Sequence, residues 1–80
     1  MKENLIPLNL LPIGSSGRVK RLSANGSVRR RLLDLGLISG TPVEALRKSP
    51  SGDPTAYQIR GAVIALRSEE SSLIMMEALF

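Results

Sequence analysis

The chain has no cysteine, no histidine and no tryptophan, and only one tyrosine and one phenylalanine among its 80 residues. Each absence removes a class of function. Without cysteine there is no disulfide framework and no thiolate metal site. Without histidine the chain lacks the commonest transition-metal ligand and the usual general base, and no Ser–His–Asp or Cys–His arrangement can form within it. Zinc would have to be held by oxygens alone, which is not how structural zinc is bound. Two aromatic residues leave few platforms for stacking bases and no aromatic groove for reading proline-rich peptides. No apolar run approaches the roughly 20 residues needed to span a bilayer. The opening MKENLIPLNLLPIG is interrupted by Pro7, Asn9 and Pro12, so it does not read as a secretory signal and the expected location is cytoplasmic.

What is present fits one small domain. Eighty residues allow a single core, and a chain of that length buries only about 60% of the surface its unfolded state exposes. A hydrophobic fraction of 42% is that of a globular chain. The formal net charge is +4, and Arg18, Lys20, Arg21, Arg29, Arg30 and Arg31 fall in one stretch without an intervening acid. Such a bias favours an anionic partner.

Residues 1–4 read as a frayed end, and Leu5 to Ile13, with prolines between apolar residues, as an irregular or single-turn helical segment pinned to the core. A strand is expected over residues 17–24, with Val19 inward and Arg18 and Lys20 outward. After the Asn25-Gly26 turn, residues 27–35 read as a helix. Ser27 is its candidate cap, Val28, Leu32 and Leu35 form its apolar stripe, Arg30 and Asp34 stand at ion-pair spacing, and Gly36 is its stop. Residues 41–48, 55–60, 62–67 and 73–79 read as four further strands, and residues 68–72 as a short capped helical turn. The Ser49-Pro50-Ser51-Gly52-Asp53-Pro54 stretch reads as a stiff loop in which Asp53 caps its own turn. Strands this short with turns between them predict a mainly β protein, a small antiparallel barrel of about five strands with one inserted helix.

Three motifs in order carry a family resemblance. They are Arg31-Leu32-Leu33-Asp34-Leu35-Gly36-Leu37-Ile38-Ser39-Gly40-Thr41-Pro42-Val43, then Pro50-Ser51-Gly52-Asp53-Pro54, then Gly61-Ala62-Val63-Ile64-Ala65-Leu66-Arg67. Leu8, Leu11, Gly14, Gly17 and Val19 suit the same family's opening segment. Over about residues 5 to 77 the chain resembles the FeoA family, ferrous iron transport protein A. The resemblance implies an SH3-like barrel, a cytoplasmic location that could extend to the inner face of the membrane, no enzymatic activity, and as partner the FeoB-type ferrous permease with its cytosolic GTP-binding domain. The module also resembles the SH3-like C-terminal domain of iron-dependent repressors, but no DNA-binding helix pair accompanies it here.

The candidate interaction residues follow from surface chemistry. Leu35 and Leu37 read as core, by their helical spacing, or as an apolar patch projecting from the helix end that would be the docking surface. Pro50, Gly52, Asp53 and Pro54 would form a rigid presented loop that loses little entropy on binding. Arg67 would anchor an anionic group, or pair with the neighbouring Glu69 and Glu70. Arg30 and Arg31 would make an electrostatic rim facing an acidic partner or anionic headgroups. No catalytic residue and no cofactor is expected. Asp34, Glu44, Asp53, Glu69, Glu70 and Glu77 are the available metal ligands, but ferrous sites mix imidazole with carboxylate, so no tight metal site is expected. A small basic barrel that binds nucleic acid is the alternative, disfavoured by the scarcity of aromatic residues.

Overall fold

A computed structural model describes residues 5–78. It contains β1 (Leu5–Pro7), a 3-10 turn (Leu8–Leu10), β2 (Ser16–Leu22), α1 (Gly26–Asp34), β3 (Pro42–Lys48), β4 (Thr55–Ile59), β5 (Ala62–Leu66), α2 (Ser68–Ser71) and β6 (Ile74–Ala78). The six strands form one antiparallel sheet in the order β1-β6-β2-β3-β4-β5. The mainly β architecture is the expected one, with one strand more than expected. That strand is β1, which has no periodicity of its own and exists because Leu5, Ile6 and Pro7 lie beside Glu77, Met76 and Met75 of β6. The expected frayed end, residues 1–4, lies outside the described residues, as does the last position of the expected final strand, residue 79.

Alternation dictates which side chains enter the core. On β4, Thr55, Tyr57 and Ile59 are buried while Ala56 and Gln58 lie between them, half-buried. Val19, Val43, Ala45, Leu66, Ile74 and Met76 complete the inner face of the sheet, and Leu8, Leu11, Leu32 and Leu37 close it from the connections. The register slips once in β2 and once in β3, between Val19 and Arg21 and between Ala45 and Arg47. Such bulges strengthen the twist with which a narrow sheet curls round its core. Each fully buried leucine or isoleucine contributes about 1.5–3 kcal/mol relative to an exposed one.

Tyr57 sits at the centre, and its hydroxyl donates to the Leu8 carbonyl at 3.5 Å. Burial pushes its phenol above the usual range, partly offset by hydrogen bonds with Ser71 and Thr55.

The helix α1 opens one residue before the expected start. Asn25 is its cap residue and makes no side-chain capping bond; its carbonyl accepts from Arg29 N–H at 3.3 Å. Ser27 is therefore inside the first turn and not the cap. Of the expected stripe, Leu32 is buried, Leu35 half-buried and Val28 exposed. The end of the helix is closed by two bonds, Gly36 N–H to Leu33 O at 2.9 Å and Leu37 N–H to Leu32 O at 3.1 Å, with Gly36 at φ +98°. This is the glycine-terminated motif in which the residue after the glycine folds back onto the last turn. It needs a glycine twice over, because a Cβ at Gly36 would also overlap the side-chain stem of Arg60.

Candidate interaction surface

The loop between β3 and β4 is built by its own polar side chains. Gly52 N–H donates to Ser49 O at 2.8 Å, Ser51 Oγ donates to Asp53 O at 3.0 Å, and the Ser49 and Ser51 hydroxyls share a bond of 3.1 Å. Pro50 at the second and Gly52 at the fourth position of that turn match its backbone requirements. The Asp53–Pro54 peptide is cis.

The Asp53 carboxylate does not cap its own turn, as the local sequence suggests. It reaches across to the start of α2, where Ser68 N–H donates to Oδ1 at 2.9 Å and Ser68 Oγ to Oδ2 at 3.5 Å. A carboxylate there satisfies a free N–H of the first turn and lies at the positive end of the helix dipole. Arg67 Nη1 is 3.9 Å from the same carboxylate. Arg67 thus pairs with Asp53, and not with Glu69 or Glu70 beside it in sequence. Glu70 pairs instead with Arg31 of α1. Arg30 and Asp34 make no ion pair among the described residues, although their spacing on the helix permits one.

Four of the expected residues, Arg31, Gly52, Asp53 and Arg67, therefore belong to one corner where α1, the β3–β4 loop and α2 meet. Pro50 and Pro54 flank it. Leu35 is half-buried against the core beside it. Leu37 is not on the surface at all: it is fully buried, because the turn at Gly36 lays it against Leu32. The exposed apolar side chains of this region are Val28, Leu33 and Ile38. Leu33 and Ile38 line a groove of about 340 Å³ between β2 and α1, rimmed by Lys20, Arg21 and Arg29. Arg30 faces the opposite flank of α1, where a concavity of about 490 Å³ is lined by Gly26, Ser27, Arg30, Arg31 and Asp34.

Sequence patterns missed Leu33 and Ile38 as surface residues, and Ser68 and Glu70 as the partners of Asp53 and Arg31. Gly36, read as a stop after a helix, did signal that Leu37 would fold inward. Nothing local signalled that Arg60 would lie across Gly36. No group of three or more potential metal ligands converges among the described residues. No helix among them is long and apolar enough to cross a membrane. Tyr57 is 1% exposed, so it offers no surface for stacking a base.

A six-stranded antiparallel sheet with a helix inserted after its second strand and a single helical turn before its last strand defines the class: a small SH3-like domain. The FeoA domain model matches residues 6–78, and the chain belongs to the FeoA family. A FeoA-like protein from Clostridium acetobutylicum is 35% identical and superposes with a TM-score of 0.90, covering 100% of this chain and 92% of that one. FeoA from Stenotrophomonas maltophilia, determined with zinc and described as a prokaryotic SH3 domain protein, is 32% identical with a TM-score of 0.78, covering 86% of each chain. A Porphyromonas gingivalis protein that fuses Fe(2+) transport protein A to the Fe(2+) transporter FeoB is 29% identical over 70 residues. That match takes in 88% of this chain and 8% of the fusion protein.

Proposed function

We propose that this domain is a non-enzymatic accessory of ferrous iron uptake, acting on the cytosolic side of a FeoB-type permease and tuning its transport or its GTP turnover. The observation that carries this reading is the relative in which a stretch similar to this chain is joined to the transporter in one polypeptide. Fusion keeps two partners at high effective concentration, and the same pair would meet by diffusion when encoded separately. The chemistry agrees. The corner of α1, the β3–β4 loop and α2 offers charge and a stiff loop, and Leu33 is exposed on the other flank of α1, features that suit recognition.

The docking face on this reading comprises Leu33 and Leu35, Pro50, Gly52, Asp53, Pro54 and Arg67, with Arg30 and Arg31 as its charged rim. The partner surface is acidic, so attraction is strongest at low salt. The nitrogen-15-labelled domain titrated with the permease's cytosolic GTP-binding domain tests this. Saturable amide shifts over residues 29–35 and 50–54 are expected. Arg30→Glu leaves the fold intact, since Arg30 makes no ion pair among the described residues, and weakens binding by about ten-fold at low salt. Absence of any saturable shift, or an unchanged affinity for Arg30→Glu, overturns the assignment of this face.

A further inference from the structure

The two edges of the sheet are unlike. β1 is three residues long and ends in proline, so it offers little to an incoming strand. β5 is five residues long, Ala62-Val63-Ile64-Ala65-Leu66, without a charge, a proline or a bulge. Natural edges normally carry at least one of those protections.

The hairpin register says which backbone groups are free. Ile59 lies opposite Ala62, so Arg60 and Gly61, with φ of 51° and 83°, form a two-residue turn. In such a hairpin Ala62, Ile64 and Leu66 turn their N–H and C=O groups toward β4. Val63 and Ala65 therefore turn two N–H donors and two C=O acceptors outward, and no hydrogen bond to them is found among the described residues. Both residues are exposed, Val63 by 56%.

Cations outnumber acids around this edge. Arg60 precedes β5 and Arg67, 3.9 Å from the Asp53 carboxylate, follows it, and Arg47 and Lys48 line a shallow groove of about 300 Å³ with Pro50, Pro54, Ala56 and Ala65. The acid on the same outer face, Glu44, lies two strands away beyond Gln58. Pairing β5 with a second copy about a two-fold axis at Ile64 would set Arg60 of one copy beside Arg67 of the other. That juxtaposition of like charges disfavours a symmetric dimer.

We propose that the edge of β5 is a strand-addition site for an extended segment of another polypeptide, β-branched in its middle and carrying a carboxylate at each end. Val63 and Ala65 supply the main-chain hydrogen bonds, and the flanking cations select the acidic ends. This edge shares Pro50, Pro54 and Arg67 with the face invoked for the permease, but the main-chain groups of Val63 and Ala65 are not part of that face, and a peptide test of them does not depend on that reading.

The probe is the peptide acetyl-Glu-Thr-Val-Thr-Val-Thr-Glu-amide, added to the labelled domain, with the peptide bearing lysine at both ends as comparator. The Val63 and Ala65 amides should exchange rapidly in the free domain. With the acidic peptide they should shift saturably and exchange more slowly by about ten-fold or more. Val63→Pro removes an outward N–H that no sheet bond uses, so it should keep the dispersed spectrum and abolish saturation. The proposal fails if the two peptides act alike, if neither shifts these amides, or if Val63→Pro binds as the native chain does. It also fails if residues 62–66 shift with protein concentration alone, which would assign the edge to a second copy.

Discussion

The two flanks of α1 carry similar residues and have opposite fates. On the flank toward α2, Arg31 reaches Glu70, and α2 is itself capped by Asp53 from the β3–β4 loop. On the flank toward β2, Arg29 makes no ion pair among the described residues, and Leu33 and Ile38 line a groove open to solvent. One flank is cross-linked by side chains within the domain; on the other, Arg29 has no ion pair among the described residues and Leu33 and Ile38 are exposed. In a chain this small, with Leu32 as the fully buried side chain of the whole helix, that asymmetry separates the side chains that tie α1 to the rest of the domain from those left open to solvent.

The largest effect expected from breaking the comparison comes from two leucines four positions apart. Leu37→Ala removes a side chain with no exposed surface and should destabilise the domain by about 2–5 kcal/mol. Leu33→Ala, on the open groove, should cost less than about 1 kcal/mol. Urea unfolding followed by far-UV circular dichroism measures both. Equal costs would mean that the groove is closed in solution and that the two flanks do not differ.

The next effect sharpens the boundary between the flanks. Gly36→Ala puts a side chain at φ +98°, where the stem of Arg60 also lies. The backbone part alone is worth about 1–2 kcal/mol, and the clash with Arg60 adds to it. Removing the stem with Arg60→Ala should make Gly36→Ala less costly, with a coupling of about 0.5 kcal/mol or more in a double-mutant cycle. A coupling near zero would show that Arg60 moves aside freely, leaving the turn geometry as the whole reason for the glycine.

How far the sequence reveals these features depends on the range of the interaction that decides them. The alternation Thr55-Tyr57-Ile59 displays β4 directly, because burial on one face of a strand imposes a period of two. The helix stop at Gly36 is equally local, and the same motif favours the core reading of Leu37 over the surface patch. Asp53 is different. Its turn, its prolines and its glycine all point to a self-capped loop, and the residue it actually caps, Ser68, comes near only because the β4–β5 hairpin brings the chain back. β1 is set by β6 at the far end of the chain, and the Arg31–Glu70 pair by the packing of two helices, so neither leaves a periodicity to read. Of the candidate face, composition and turn chemistry pick out the loop and the basic helix, whereas the open groove with Leu33 and Ile38 emerges only when β2 lies beside α1.

The smallest effect is the most specific to the comparison. Arg31→Ala removes the link between α1 and α2, and Arg29→Ala removes a cation that has no such link. Both arginines are exposed. An exposed pair is worth about 0–1 kcal/mol and fades with salt. Arg31→Ala should therefore lower stability slightly in dilute buffer, and by less in 1 M sodium chloride, while Arg29→Ala should leave it within about 0.5 kcal/mol of the native chain in both. A poor site for a cation, the first turn of a helix, predicts one further difference. With no carboxylate beside it, Arg29 bears the repulsion of the helix dipole uncompensated, so its removal should be neutral or slightly stabilising. Arg31 lies in the last turn of α1, where the dipole favours a cation, and it also pairs with Glu70, so its removal should cost. Opposite signs in dilute buffer that converge in salt would show that the two flanks differ electrostatically. Equal signs would mean that the Arg31–Glu70 contact contributes nothing, and that the packing of Leu32 and Leu37 alone holds α1 in place.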